Sequence, residues 1–299
     1  MFFSMRRRGP APSRAPEAES AEERAAPASD PAALPVQTTI PLVVFTQDER
    51  VYLPLSLEPV VDRLGDRIEC IVLSPPMSTH GGNAAGLKKH LSVFGLRGSV
   101  AMGVRVVAAR LLPLLGIAPR KRRAWSIEAL ARAAGIPVHH VDKVNSASMH
   151  EILDRYQTGL LISVSCPQII RKKLLSRFEH GGLNVHSSPL PRYRGLMPAF
   201  WLLFHDEQET AVTVHDLAEQ LDDGDIRLQQ AIPIRSDDTW NTLVTRTKTA
   251  AGDSLVEAVE KLERGDLPRR ANPDDASSYF SFPSASDARE FRRRGRRMF

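Results

Sequence analysis

The sequence Gly182-Leu-Asn-Val-His-Ser-Ser-Pro-Leu-Pro-Arg-Tyr-Arg-Gly195 joins a short apolar strand to a proline-rich turn. Side chains two residues apart on a strand point to the same face, so Asn184 and His186 share one side. The turn puts this pair at the end of the strand, where α/β sheets build their sites. Further along, Leu221-Asp-Asp-Gly-Asp225 brings carboxylates on a glycine-containing loop.

An amide, an imidazole and a carboxylate together are suited to acyl transfer to an amine. The amide and a protonated imidazole stabilise the negative charge that develops on a carbonyl oxygen. The carboxylate orients the imidazole, raises its basicity and helps to collect the proton that the attacking amine sheds. None of the three groups has to act as a nucleophile.

Buried apolar runs alternate with amphipathic segments along the chain, which predicts an α/β fold with a mostly parallel central sheet flanked by helices. The predicted strands are 39–46, 68–73, 137–141, 160–165, 183–186, 211–215 and 226–234. The predicted helices are 55–64, 87–94, 100–115, 127–134, 149–156, 169–178, 197–205 and 239–263. Ser126 and Gly265 stand where a helix N-cap and a helix C-terminus are expected.

Composition excludes two broad classes of protein. Two cysteines, Cys70 and Cys166, are too few for a disulfide framework or a metal site, and they fit a reducing, cytoplasmic compartment. The sequence contains no run of about 20 uninterrupted apolar residues, so no transmembrane segment is predicted. The net charge is +5, with much of the excess in three short basic clusters, which we interpret first as solvated surface. Residues 1–37 are poor in large apolar groups and are predicted to be a disordered N-terminal arm.

The residues around the predicted site resemble the folate-dependent formyltransferase family. This family includes glycinamide ribonucleotide, methionyl-tRNA and sugar N-formyltransferases. The resemblance covers roughly Ile40 to Ile234, a typical single-domain span. It rests on Asn184, His186, Ser188, Leu190, Pro191, Tyr193-Arg194-Gly195, His215 and Leu221-Asp222-Asp223-Gly224. Two residues depart from the family pattern: Pro189 replaces an apolar residue, and Ala211 replaces a common glycine.

The resemblance implies a Rossmann-like catalytic domain at 38–267 that uses 10-formyltetrahydrofolate as formyl donor, with no metal. It implies that Asn184 polarises the carbonyl, His186 stabilises charge and transfers protons, and Asp222 orients His186 and accepts a proton. Asp223 and Asp225 are then loop formers, while His215 either braces the loop or faces a neighbouring strand. The implied donor-binding residues are Cys166, Pro167, Gln168, Ile169, Leu190 and Leu221.

The acceptor is open, since the resemblance implies only a one-carbon-group transferase acting on a primary amine. An aminosugar nucleotide or another small amine is the first expectation. Methionyl-tRNA comes second, because only about 30 residues follow Pro268, a basic C-terminal tail shorter than the β-barrel of ~100 residues that such enzymes usually carry. A hydrolase that releases formate is third. A non-catalytic binding protein on the same scaffold is the alternative from another class.

The segment 86–123 is unusual for the family and is interpreted as a helical insertion. Its second helix carries an apolar stripe that is interrupted by two arginines, Arg105 and Arg110. Such a stripe more often packs in a core or against a second subunit than on a membrane surface. We therefore expect core or homodimer packing here, and we expect peripheral membrane contact to be the less common alternative.

Overall fold

The computed structural model describes residues 39–76, 82–117, 119 and 124–299, with the backbone alone for 82–89. The predicted N-terminal arm lies outside the described residues, as do the basic residues 120–123. The strands are β1 (Leu42–Gln47), β2 (Ile68–Ser74), β3 (Val138–His140), β4 (Leu160–Ser163), β5 (Gly182–His186), β6 (Arg194–Gly195), β7 (Glu209–Asp216), β8 (Ile226–Pro233) and β9 (Tyr279–Phe280). The helices are α1 (Leu53–Leu64), α2 (Gly82–Leu111), α3 (Ile127–Ala133), α4 (Ala147–Leu153), α5 (Lys172–Leu175), α6 (Pro198–Phe204), α7 (Trp240–Arg264) and α8 (Ala285–Arg293).

Seven of the strands form one sheet in the order β3-β2-β1-β4-β5-β7-β8. The first five strands of this order are parallel, and β7 runs antiparallel to both β5 and β8. The predicted α/β fold with a mostly parallel sheet is therefore confirmed. The chain moves outward from β1 to β3 and then returns to the other side of β1 with β4. The gap between β1 and β4 is thus a topological switch point, where ligands bind beyond the carboxyl ends of the strands.

Apolar side chains cover both faces of this sheet. One face packs on α1, α3 and α7 through buried residues such as Leu57 and Leu255. The other face packs on α4 and α5 through residues such as Met149 and Leu174. Two buried layers around a central sheet account for most of the hydrophobic stabilisation expected of a domain of this size.

Capping residues mark several helix ends, as the sequence predicts. The Ser126 side chain accepts a hydrogen bond from Ala129 N at 3.1 Å at the start of α3. Gly265 ends α7 with a left-handed φ of 73°. The predicted helix 169–178 is wrong, because only Lys172–Leu175 is helical. The Asn145 side chain explains this: its amide donates to Ile169 O and its oxygen accepts from Arg171 N, so these backbone groups have partners outside a helix.

The C-terminal residues fold back onto the domain. Strand β9 pairs with β6 in a small parallel sheet, so that Phe280 lies opposite Gly195. Phe280 stacks on Trp201 with 4.9 Å between the ring centroids. In α8, Phe291 is fully buried and stacks on Phe200 at 4.5 Å. A second aromatic core therefore ties the residues after α7 to α6.

Helix α2 breaks at Gly95, whose φ of 68° and ψ of 175° are not helical. The helices predicted at 87–94 and 100–115 lie on either side of this break, and a 3-10 turn at Leu112–Leu115 extends the second. Among the described residues, His90–Leu115 is long and apolar enough by composition to cross a membrane, with a mean hydropathy of 1.5. Only 11% of its most apolar window is buried in the protein, so the expectation of core packing for this stripe is wrong.

Candidate active site

Strand β5 carries the first two predicted catalytic residues at its carboxyl end. Its burial alternates: Leu183 and Val185 are buried in the core beneath the sheet, whereas Asn184 and His186 are only half-buried on the opposite side. The two-residue period that sequence reasoning used is thus visible in the structure. Both polar side chains face the same space above the sheet.

Asn184 lies opposite His215 in the antiparallel pairing of β5 with β7. The distance from Asn184 Nδ2 to His215 Nε2 is 3.0 Å. His215 Nδ1 is 2.9 Å from the carbonyl oxygen of Asp216, which can only accept, so Nδ1 carries the proton. In the neutral ring Nε2 then accepts a hydrogen bond from the Asn184 amide. One Nδ2 hydrogen of Asn184 remains to donate to a ligand.

The charge state of His215 agrees with this arrangement. Burial lowers the pKa of His215 to about 4, although the nearby Asp222 carboxylate acts in the opposite direction. The imidazole is therefore neutral near pH 7 and can accept from Asn184. His215 fixes the rotamer of Asn184 on β5, so it faces the neighbouring strand, which is the second of the two interpretations that the sequence left open for it.

His186 has a different environment from His215. Its Nε2 lies 2.9 Å from the carbonyl oxygen of Tyr193 and must donate to it. Its Nδ1 lies 3.5 Å from Asp222 Oδ1. The backbone of the turn therefore fixes one nitrogen of the ring, and the other faces the Asp222 carboxylate.

Asp222 is the carboxylate that reaches the site, and it is only 6% exposed. Its Oδ2 accepts a hydrogen bond from Gly195 N at 2.9 Å, and its Oδ1 lies 3.7 Å from His215 Nε2. The residue has a left-handed φ of 54°, which directs its side chain out of the loop and toward the two histidines. The Asn272 amide holds the loop through the carbonyl oxygens of Asp222 and Gly224.

The neighbouring acidic residues bind arginines instead. Asp223 pairs with Arg194 at 2.8 Å, and Asp225 pairs with Arg269 at 2.6 Å. Arg194 is buried and also reaches Asp274 at 2.7 Å, so it connects the Asp222 loop to the C-terminal residues. These pairs give both aspartates a place in loop structure.

Arg192, Tyr193 and Arg194, the polar residues of the turn after β5, are all bound within the protein. Arg192 pairs with Glu207 at 2.8 Å, and the Tyr193 hydroxyl donates to the same carboxylate at 2.9 Å. Arg194 is held in the acidic cluster described above. Their contacts favour a structural function in the turn over contact with a phosphate.

The predicted donor-binding residues 166–169 form a loop, called the donor loop below. This loop follows β4 at the switch point, and β4 is the neighbour of β5 in the sheet. Gln168 joins it to the loop after β3, since its side chain bonds Val144 N and Asp142 O. Cys166 is half-buried, and burial raises the pKa of its thiol, which argues against a thiolate nucleophile. Pro167 is half-buried in the same loop.

Lys248, on α7, is a residue near this loop that sequence reasoning missed. Its Nζ donates to Ser165 Oγ at 2.9 Å, and Ser165 has a left-handed φ of 52°. Burial of the amine lowers the pKa of Lys248, partly opposed by Glu49. The available signal was a lysine on the apolar side of α7, between Val244 and Ala251.

Ile169 and Leu221 stand out by their exposure, 55% and 46%. Most of the exposed large apolar side chains in the described residues lie on α2 or in the 3-10 turn and residues that follow it. Elsewhere in the described residues, the most exposed ones are Ile169, Leu221 and Tyr279. Leu190, by contrast, is buried, and its backbone is held by Thr213 and Gln229. A separate cleft of 540 Å³ beside Pro189 and Arg192 contains none of the three predicted catalytic residues, so we assign the site from its side-chain contacts.

The structure thus brings Asn184, His186 and Asp222 together around His215, with the donor loop on the adjacent strand. The arrangement offers an unused amide donor, an imidazole next to a carboxylate, and exposed apolar side chains. No cluster of three histidine, cysteine or acidic ligands occurs in the described part of the chain that could hold a metal ion. The groups present are suited to stabilising an oxyanion and moving a proton.

Comparison with known sequences gives matches over the middle of the chain. Residues 116–259 match the model of a family described as formyl transferase. A methionyl-tRNA formyltransferase from Anaeromyxobacter sp. (strain K) is 41% identical over 138 residues, which cover 46% of this chain and 44% of that protein. A second one, from Geobacter sulfurreducens, is 33% identical over 153 residues, covering 51% and 48%. The chain spans about half the length of the curated relatives it matches.

Solved structures extend the likeness to most of the domain. The phosphoribosylglycinamide formyltransferase from Anaplasma phagocytophilum matches with a TM-score of 0.53 and 17% identity, over 81% of this chain and 98% of that one. An N-formyltransferase from Helicobacter canadensis, in complex with folinic acid and dTDP-3-aminofucose, matches with a TM-score of 0.51 and 16% identity, over 85% and 80%. At these identities the likeness concerns the fold.

Proposed function

We propose that the protein belongs to the formyl transferase family, whose model residues 116–259 match, and that it moves a formyl group from 10-formyltetrahydrofolate to a primary amine. One observation carries the proposal: Asn184 and His186 share one face of β5, and the buried Asp222 lies 3.5 Å from His186. A carboxylate buried beside an imidazole, next to an unused amide donor, is costly to maintain unless it serves chemistry.

The residues fit the proposed donor. Asn184 has a free amide hydrogen for the formyl oxygen, and Ile169 and Leu221 offer exposed apolar surface against which a flat pterin ring can pack. The loop of Cys166, Pro167, Gln168 and Ile169 follows β4 at the switch point. The donor supplies a formyl group on a nitrogen that can leave once it is protonated.

In the proposed mechanism, Asn184 donates to the formyl oxygen while the acceptor amine attacks the formyl carbon. The His186 imidazolium adds positive charge against the same oxygen as negative charge develops there. Asp222 keeps His186 oriented and collects the proton that the amine sheds, directly or through a water molecule. This proton passes to the folate nitrogen as its bond to the formyl carbon breaks, so that tetrahydrofolate leaves and the amine keeps the formyl group. His215, neutral and bound to Asn184, holds the amide in its donating position.

We propose a small primary amine as acceptor, with an aminosugar nucleotide as the first candidate. The Helicobacter canadensis protein, whose complex contains dTDP-3-aminofucose, shares its fold with most of this chain. Methionyl-tRNA is the second candidate, favoured by the 41% identity to a methionyl-tRNA formyltransferase. Hydrolysis of the donor to formate and non-catalytic binding are the remaining alternatives. The cytoplasmic location stays a prediction.

Donor binding tests the first step of this proposal. A ligand that binds only the folded state raises the melting temperature, so 5-formyltetrahydrofolate, a stable analogue of the donor, should stabilise the protein. The Ile169→Asp variant should lose most of this shift. The matched control is Leu96→Asp, which puts the same charge at an exposed leucine on α2. No shift for the wild type, or an equal shift for Ile169→Asp, would contradict the proposed pocket.

A further inference from the structure

The second half of α2 presents an apolar stripe to solvent. Successive helical residues are ~100° apart, so the stripe residues fall within an arc of roughly 80° on one side of the helix. Each of them is between 52% and 75% exposed. The stripe consists of Leu96, Val100, Val104, Val107 and Leu111. Contiguous exposed apolar surface of this kind marks a binding face.

The opposite side of the helix is fixed to the protein. Gly98 and Ala109 are buried, and a Cβ added at Gly98 would lie 3.3 Å from the Phe299 ring. Arg105 binds Asn241 and lies 5.0 Å above the same ring. The helix therefore cannot rotate its apolar stripe into the core without breaking these contacts.

The charged residues of α2 are all basic. Arg97 and Arg110, both exposed, border its two sides. From Cys70 to Ile127 the sequence contains nine lysines and arginines and no aspartate or glutamate. A second copy of the chain would bring like charges together across the stripe, whereas an anionic partner would be attracted.

Protein contacts argue against a spanning arrangement of α2. Gly98, Arg105 and Ala109 hold its inner side against the protein, so lipid cannot surround the helix. The break at Gly95 also leaves a straight part of about 16 residues, ~24 Å long, which reaches the ~30 Å thickness of a hydrocarbon core only together with the 3-10 turn at Leu112–Leu115. An apolar arc bordered by arginines on a helix fixed parallel to a protein surface is the geometry of interfacial attachment.

We propose that the stripe on α2 attaches this protein peripherally to an anionic lipid bilayer. The apolar residues enter the boundary between headgroups and acyl chains, and Arg97 and Arg110 bind lipid phosphates. The attachment leaves the catalytic strand β5 in the protein body, so the enzyme would act at the membrane surface. This inference is independent of the acceptor and of the proposed reaction.

Vesicle co-sedimentation of the full chain tests this proposal. Wild-type protein should sediment with equimolar phosphatidylcholine and phosphatidylglycerol vesicles, should not sediment with phosphatidylcholine alone, and should be released by salt. Val104→Ser with Val107→Ser keeps every charge and should weaken binding roughly tenfold. Arg97→Ala with Arg110→Ala should weaken it about 25-fold, at about fivefold for each charge.

Matched variants separate the stripe from overall charge. Val104→Glu with Val107→Glu should abolish binding, whereas Lys172→Ala with Lys173→Ala, which lowers the net charge equally on α5, should bind like the wild type. Circular dichroism and melting temperature verify that each variant is folded. Wild-type protein that stays in the supernatant, or valine variants that bind normally, would overturn the proposal. A concentration-dependent dimer that Val104→Glu with Val107→Glu dissociates, without vesicle binding, would overturn it in favour of a second copy.

Discussion

Protonation of His215 should destabilise the fold over a defined pH range. Its pKa is about 4 in the folded protein and 6.5 in the unfolded chain. A depressed folded-state pKa means that the unfolded chain binds the proton more tightly, so stability is fully present above pH 6.5 and is lost as pH falls toward 4. The whole pKa shift corresponds to about 3 kcal/mol in the free energy of unfolding. Of this, about 2 kcal/mol is lost between about pH 7.5 and about pH 5.

Urea unfolding at both pH values, in wild type and in His215→Gln, measures this contribution. Other groups titrate in both proteins, so the quantity of interest is the difference between their two pH dependences. The wild type should lose about 2 kcal/mol more than His215→Gln on acidification. His180→Gln, a change at an exposed histidine, is the control and should behave like the wild type.

Equal pH dependence in wild type and His215→Gln would refute the reasoning. It would mean that the pKa of His215 is not lowered in the folded protein, so that below about pH 6.5 the ring carries a hydrogen on both nitrogens. Nε2 could then not accept from Asn184, and the amide would have to turn its oxygen toward the ring. The oxyanion donor that we assign to Asn184 would be lost with it.

Three further changes test the Asp222 loop and the packing of α8. Asp222→Asn can still accept a hydrogen bond from Gly195 N and should melt near the wild-type temperature. Asp222→Ala cannot, and it should lose about 1.5–3 kcal/mol of unfolding free energy in urea. Equal losses in the two variants would contradict the assigned hydrogen bond. Gly224→Ala puts a Cβ 1.8 Å from Asp216 O and should cost about 3 kcal/mol or more by the same measurement. A neutral effect would mean that the backbone at Gly224 does not pack closely against Asp216. Phe291→Ala should cost about 3–5 kcal/mol in thermal unfolding, because its ring is fully buried in α8, and a loss below 1 kcal/mol would mean that α8 is not part of the domain core.

Local patterns predicted much of the site. The two-residue period puts Asn184 and His186 on one face without any knowledge of the fold, and the alternation of strands and helices predicts the sheet. His215 could not be assigned in the same way. Its function depends on the pairing of β5 with β7, which joins residues 31 positions apart, and the period of one strand does not say which residue of another strand lies opposite.

The errors have tertiary causes. The predicted helix at 169–178 has a suitable composition, but the Asn145 side chain from another loop binds its first backbone groups. The stripe on α2 has the period of a core-facing helix, and the sequence alone does not tell a core from a membrane or a second subunit as its partner. In each case the local preference is real, and a contact distant in sequence determines the outcome.

Transfer of a radiolabelled formyl group from 10-formyltetrahydrofolate is the most direct test of the central claim. Wild type, Asn184→Ala, His186→Ala and Asp222→Asn would be compared with aminosugar nucleotides and methionyl-tRNA as acceptors. We predict that the label moves to an amine, and that each variant is slower by about 10²–10³-fold while it remains folded. Label that stays on the folate or leaves only as formate with every acceptor, or variants that keep the wild-type rate, would contradict the assignment.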